Sequence, residues 1–164
     1  MSPVTTRRRR IALFALAGAC AALASFVLWR DNDAAARGQA LFSGDSPLSA
    51  HLHGHDAALP VLATRCINCH GGIDDGGAAA RAAGNTGLRL TGKTAASKLD
   101  HDALTTARVR RGGPATRYDA KSLCTLLRTG VDPAGVMIPD AMPRYEASDA
   151  QCNALWAYFF SSRR

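Results

Sequence analysis

Two cysteines and a histidine form the segment of this chain whose residue types and spacing point most directly to chemistry. Cys66, Cys69 and His70 stand in the order C-x-x-C-H. This spacing is that of covalent c-type haem attachment, in which each thiol is joined to one vinyl group of the porphyrin. The histidine directly after the second thiol can bind the iron as an axial ligand. Because the motif occurs once, the sequence predicts one covalently bound haem c.

Two other uses of paired thiols fit the sequence less well. A structural zinc site needs a second pair of cysteine or histidine ligands at matching spacing. The cysteines that follow the motif, Cys124 and Cys152, each stand alone. A thioredoxin-like dithiol needs a surrounding βαβ pattern, and none is visible. Haem attachment is therefore the interpretation that the spacing favours.

A second axial ligand decides whether such a haem carries electrons or presents an open site. The candidates are two methionines and four histidines: Met137, Met142, His51, His53, His55 and His101. Met142 is favoured because Pro143 follows it and stiffens the loop before the last predicted helix. Thioether ligation raises the reduction potential relative to ligation by two histidines. The predicted axial pair is therefore His70 and Met142.

The order of these motifs resembles that of class I cytochromes c. In that family a C-x-x-C-H motif, a Met-Pro-x-Tyr-like loop and a C-terminal helix with aromatic residues follow one another, as they do between Leu59 and Phe160. The segment from Arg128 to Tyr145 looks like that of membrane-associated bacterial members. The resemblance implies an all-α fold, with cytochrome c-like helices wrapped around one covalently bound haem.

The resemblance also implies roles for residues around the haem. It gives His70 and Met142 as axial ligands, and it places Trp156 and Tyr158 near a helix–helix contact. A proline carbonyl would accept the Nδ1 hydrogen bond of the axial histidine, and Pro114 is the candidate here. The loop that carries Met142 runs from Val131 to Tyr145 and is called the ligand loop below. Two of its residues, Arg144 and Tyr145, are expected close to the haem.

The uncharged segment from Ile11 to Trp29 follows four arginines. As a helix its 19 residues would extend roughly 28 Å, about the thickness of a bilayer core. The positive-inside rule would keep residues 1–10 in the cytoplasm and deliver the rest of the chain to the far side. We expect an N-terminal transmembrane helix in the bacterial inner membrane, with the haem domain in the periplasm. A cleavable signal peptide is the alternative.

These features divide the chain into four predicted regions. They are a cytoplasmic basic flank at 1–10, a transmembrane anchor at 11–29, a linker and N-terminal extension at 30–58, and a cytochrome c domain at 59–164. Local signals predict three helices outside the motif. One runs from Ala34 to Phe42 and one from Asp119 to Arg128, and the last begins at a capping box formed by Ser148 and Gln151.

The net charge of +7 gives little support to nucleic-acid binding. Five of the 20 basic residues flank the uncharged segment. From Asp31 onward there are 15 basic and 13 acidic residues, which gives a net charge of +2. The basic surface that nucleic-acid binding requires is therefore concentrated at the predicted membrane boundary.

The two single cysteines, Cys124 and Cys152, fall on the apolar sides of predicted helices. Outside the cytoplasm they could form a disulfide that closes the loop containing Met142. Two buried free thiols, acting as small apolar side chains, are the alternative. The sequence leaves this choice open.

The predicted function is that of a membrane-anchored electron carrier rather than an enzyme. Its partners would be redox proteins: a dehydrogenase or quinol-linked complex on one side and a terminal acceptor on the other. It could also be the cytochrome subunit of an oxidoreductase complex. One alternative is an open-site haem peroxidase or gas sensor in which His101 acts as a distal acid or base. Another is a protein that handles copper or zinc through His51, His53 and His55.

Overall fold

Helices alternate with very short strands along the part of the chain that the structure describes. The structure is a computed structural model and describes residues 32–70, 99–110 and 112–161. In chain order these ranges hold helix α1 at residues 32–43, strand β1 (Ala50–His51), a 3-10 turn (Val61–Ala63), α2 (Ile67–His70), α3 (His101–Thr105), β2 (Arg108–Val109), β3 (Ala115–Thr116), α4 (Ala120–Thr129), β4 (Arg144–Tyr145) and α5 (Asp149–Ser161).

Two antiparallel strand pairs make this architecture mixed, so the all-α prediction is wrong. β1 pairs with β4, with Ala50 opposite Tyr145 and His51 opposite Arg144. β2 pairs with β3 in a second two-stranded sheet. Each strand is only two residues long, too short for alternation of apolar and polar residues to reveal it in the sequence. The β1–β4 pair also joins segments far apart in the chain, which local patterns do not record.

The sequence predicted a transmembrane helix near the N-terminus. Within residues 32–70, 99–110 and 112–161, no helix is both long and apolar enough to cross a bilayer. Residues 11–29, on which the prediction rests, lie outside these ranges.

Helix α4 begins and ends at residues suited to those positions. The Asp119 side chain accepts a hydrogen bond from the Ser122 amide at 2.7 Å, and the Ser122 hydroxyl accepts one from the Asp119 amide at 2.9 Å. This reciprocal pair satisfies amides that a helix leaves free in its first turn. Gly130 ends the helix in the left-handed conformation with φ of 75°, which glycine adopts at little cost. The predicted boundaries of this helix are confirmed within one residue.

Helix α5 packs against α4 and α1 and completes the core. Its capping box is present, with Gln151 Oε1 accepting from the Ser148 amide at 2.8 Å. A disulfide between Cys124 and Cys152 joins α4 to α5. The sequence alone left open whether these two cysteines form a disulfide or stay free thiols.

Helix α1 crosses α5 closely because a glycine stands at the contact. A Cβ atom at Gly38 would collide with the Ala154 carbonyl and the Tyr158 side chain. The Phe42 ring lies 5.5 Å from the Tyr158 ring and 5.8 Å from the Phe159 ring, centroid to centroid. Tyr158 thus lies at a helix–helix contact, here between α1 and α5.

The described part of the predicted linker belongs to the core. Leu41, Phe42, Leu48 and Ala50 are buried in the same apolar cluster as the side chains of α4 and α5. One compact unit of the chain begins at Ala34. Gly38, inside the predicted helix, was the sequence signal that could have indicated this close packing.

Candidate functional site

The C-x-x-C-H segment folds as a 3-10 turn followed by one turn of helix. The amides of Cys69 and His70 donate to the Cys66 carbonyl at 3.2 and 2.9 Å. The Asn68 side chain donates to the Leu62 carbonyl at 2.6 Å and ties the two turns together. Residues three apart on a helix share a face, so Cys66 and Cys69 lie on the same side. Both are free thiols, which is the state that covalent attachment requires.

Tyr145 joins the loop of the proposed sixth ligand to this motif. Its buried hydroxyl donates to the Thr64 carbonyl at 3.1 Å, across 81 residues of sequence. The same hydroxyl contacts the Cys66 thiol. Burial raises the pKa of that thiol to about 11, and the hydroxyl opposes this with a smaller lowering. Burial also raises the pKa of Tyr145. Both groups therefore keep their protons at neutral pH.

The two candidate methionines have different environments. Met142 is partly buried and packs against the core, as Cys66 and Ile67 do. Its amide donates to the Pro139 carbonyl at 3.1 Å, so it lies in a tight turn. Met137 is 47% exposed. Because an axial thioether must be held beside an apolar cofactor, Met142 is the better placed of the two.

The side chain of Arg144 is buried against the segment from Met137 to Met142. Its side chain is 2% exposed and donates to the carbonyls of Met142 and, at 3.5 Å, Ile138. Its Nη2 lies 3.8 Å from the Met137 sulfur. Burial lowers the pKa of the guanidinium, and the Asp140 carboxylate opposes this. Arginine nevertheless stays protonated in proteins, so the loop closes around a unit positive charge.

Gly130 makes room for this guanidinium. A Cβ atom at residue 130 would collide with the Arg144 Cζ and Nε atoms. The Gly130 carbonyl accepts from the Ile138 amide at 2.8 Å, which joins the end of α4 to the same loop. The glycine that ends α4 therefore also shapes the surroundings of Met142.

Asp132 fixes the first part of the loop. It is 4% exposed, and its Oδ1 atom accepts from the amides of Ala134 and Val136, both at 2.9 Å. Because the carboxylate replaces backbone partners, residues 132–136 hold a compact turn without regular structure. The sequence placed a loop here from its prolines and glycines, but it gave no sign that this aspartate is buried.

Two further candidates from the sequence, Pro114 and His101, lie away from the C-x-x-C-H segment in the chain. Pro114 is exposed in the turn between β2 and β3. His101 is buried in α3, with its ring centroid 4.4 Å from that of Phe160 and its Nδ1 atom 3.2 Å from an Asp102 oxygen. Its assignment as the distal acid or base of an open haem stays a prediction.

The alternating histidines do not form a cluster. His51 pairs with Arg144 in the β1–β4 sheet, while His53 and His55 are exposed. Across the described ranges, no group of three or more His, Cys, Asp or Glu side chains could hold a metal ion. The structure thus brings no metal ligands together around these three residues.

The donor atoms of these residues fit a covalently attached haem. Two free thiols share one face of a helical turn, an imidazole follows directly, and a thioether lies on a loop tied to that turn by Tyr145. The partly buried apolar residues packed on the core include members of both segments: Cys66, Ile67, Leu99, Met142, Trp156 and Tyr158. Partly buried apolar side chains at the motif and at the ligand loop suit contact with the apolar faces of a porphyrin.

Comparison with known proteins identifies no relative of this chain. No protein family, curated protein or solved structure matches the chain. The functional conclusion accordingly depends on the motif, on the contacts of the ligand loop and on the chemistry of the donor atoms.

Proposed function

We propose that this protein is a monohaem c-type cytochrome that carries single electrons. Cys66 and Cys69 would hold the haem covalently, and His70 and Met142 would ligate its iron. One observation carries the proposal: the Tyr145 hydroxyl, three residues after Met142, donates to the Thr64 carbonyl, two residues before Cys66. This contact supports the pairing because it brings the ligand loop against the attachment motif.

When bound, the haem supplies a reversible one-electron couple. The residues of the chain hold it and control its surroundings. Cys66, directly before α2, and Cys69, within it, would fix the haem to this turn, and His70 follows Cys69 directly. Met142 supplies a soft thioether, which favours the reduced metal. No residue in this arrangement needs to transfer a proton, so the function is electron transfer and not catalysis.

The protein works outside the cytoplasm, with other redox proteins as its partners. The disulfide between Cys124 and Cys152 supports this location, because such bonds persist in oxidising compartments and are rare in the cytosol. The electron donor is a dehydrogenase or quinol-linked complex, and the recipient is a terminal acceptor.

Covalent attachment tests the proposal. The chain is produced with a c-type haem attachment system, denatured, and examined by mass spectrometry for haem bound to the polypeptide. The wild type should carry one haem, and Cys66→Ser and Cys69→Ser should retain one thioether or no haem. A Cys124→Ser/Cys152→Ser variant provides the matched control and should keep the haem. A wild type without covalent haem would refute the proposal.

A further inference from the structure

Arg144 is a buried cation without a buried counter-ion in the described part of the fold. Its side chain is 2% exposed, and the nearest carboxylate oxygen, on Asp140, is 4.0 Å away on a side chain that is 75% exposed. Its Nε atom has no hydrogen-bond partner among the described residues. Burying a charge without a close partner is costly. A role that compensates for this cost has to be sought in what the guanidinium contacts.

The guanidinium contacts the ligand loop at two places, residues 137–138 and Met142. It donates to the backbone carbonyl of Met142 and approaches the carbonyl of Ile138 and the sulfur of Met137. A planar fork with several donors can fix such a set of acceptors at once, which an ammonium group does less well. The position of the Met142 backbone therefore depends on Arg144.

A positive charge at this place also affects a redox centre. Because the guanidinium contacts the Met142 carbonyl, it lies within roughly 10 Å of any metal that the Met142 sulfur binds. At an effective dielectric constant of about 20, a unit charge at that distance changes a one-electron equilibrium on the order of tenfold. The sign favours the reduced metal, whose charge is lower by one.

We infer that Arg144 is the positioning residue that holds Met142 against the haem iron, and that its charge raises the reduction potential. This inference rests on the proposed function. Arg144 does not contact the reacting electron carrier in this assignment. It acts through the backbone of the ligand and through its electrostatic field.

The test compares variants of the haem-loaded protein by two readouts. The first is the weak far-red charge-transfer band of methionine-ligated ferric haem, and the second is the midpoint potential from a spectroelectrochemical titration. Arg144→Gln should weaken the band and shift the reduction equilibrium about tenfold toward the oxidised form, which is about 59 mV for one electron. Arg144→Lys keeps the charge, so it should retain more than half of the rise in potential that Arg144 produces. Its methionine band should be weakened.

A matched control removes a different arginine with similar bonds. Arg128 donates to the Ala147 carbonyl at 2.7 Å and to Asp149 at 2.7 Å, but its side chain is 41% exposed and paired. Arg128→Gln should leave the methionine band in place and should change the reduction equilibrium by no more than a few-fold. Solvent and Asp149 already screen that charge.

Two glycine variants test the positioning without altering any charge. Gly130 and Gly135 have φ values of 75° and 76°, so alanine meets the same backbone strain at both. Only at residue 130 would the new Cβ collide with the Arg144 guanidinium, because nothing lies within 4 Å at residue 135. Gly130→Ala should weaken the methionine band more than Gly135→Ala. This comparison remains decisive if Arg144→Gln does not accumulate.

The outcomes separate the inference from the proposed function. A wild type without covalent haem or without the methionine band refutes the proposed function, and the inference falls with it. A wild type with the band, combined with an unchanged band and potential in Arg144→Gln, overturns the inference alone. Equal bands in Gly130→Ala and Gly135→Ala also overturn it.

Discussion

Removing one oxygen atom from Tyr145 should loosen the connection between the ligand loop and the haem motif. In Tyr145→Phe the ring stays in the core, so no cavity of the size of a side chain is created. The hydrogen bond of 3.1 Å to the Thr64 carbonyl is lost. Thr64 is 4% exposed, so water does not easily take the place of the hydroxyl.

The size of the effect follows from this burial. Leaving a buried acceptor without its donor costs about 1–3 kcal/mol, and we take the lower half of this range because a carbonyl is a neutral acceptor. For a urea m value of about 2 kcal/mol/M, a loss of about 1.5 kcal/mol lowers the unfolding midpoint by roughly 0.75 M. The m value itself should not change, because the surface exposed on unfolding is the same.

Urea unfolding of the haem-loaded protein, followed by far-ultraviolet circular dichroism, measures this midpoint. Thr125→Val is the control, because the Thr125 hydroxyl donates to the Lys121 carbonyl on the exposed side of α4. Such a surface change should cost less than about 0.5 kcal/mol. Equal midpoints for Tyr145→Phe and the wild type would refute the claim that this hydroxyl joins the two segments.

Three further predictions concern the scaffold. Replacing Cys124 and Cys152 together by alanine should lower the free energy of unfolding by roughly 3.5 kcal/mol, the loop-closure value for a sequence separation of 28; an unchanged urea midpoint would contradict this. Asp119→Ala should cost about 1 kcal/mol at pH 7 by removing the cap of α4. Bonds from the Ser122 hydroxyl and amide hold the pKa of Asp119 below its ordinary value, so this contribution is present above about pH 4 and is lost as pH falls through the lowered pKa. The difference in unfolding free energy between wild type and variant, measured by urea titration, should therefore disappear in acid. A difference that stays constant with pH would contradict the capping role. Gly38→Ala should cost about 1–3 kcal/mol by overpacking the α1–α5 contact, whereas Gln39→Ala on the exposed side should be nearly neutral in thermal unfolding. Equal losses at the two positions would show that the contact is not tight.

The sequence predicted those parts of the fold that are encoded locally. The ends of α4 and the start of α5 are confirmed because capping residues and glycine act within a few positions. The β1–β4 pair escaped prediction because two-residue strands carry no periodic signal and join distant segments. The packing of α1 on α5 at Gly38 also escaped prediction, because it joins segments far apart in the chain.

The candidate site divides in the same way. The C-x-x-C-H motif and the methionine before Pro143 are recognisable from residue types alone. The contact of Tyr145 with Thr64 spans 81 residues, and no local pattern could predict it. Arginine is rarely buried without a partner, so sequence statistics would place Arg144 on the surface. Its burial becomes visible only once Gly130 and the ligand loop are positioned around it.

The most direct test of the account is the optical spectrum of the ferric protein beside two methionine variants. Met142 packs against the core while Met137 is 47% exposed, so Met137→Ala serves as the control for Met142→Ala. We predict the far-red methionine band in the wild type and in Met137→Ala, and its absence in Met142→Ala. A high-spin wild type that binds carbon monoxide readily when reduced, or a band that persists in Met142→Ala, would contradict the account.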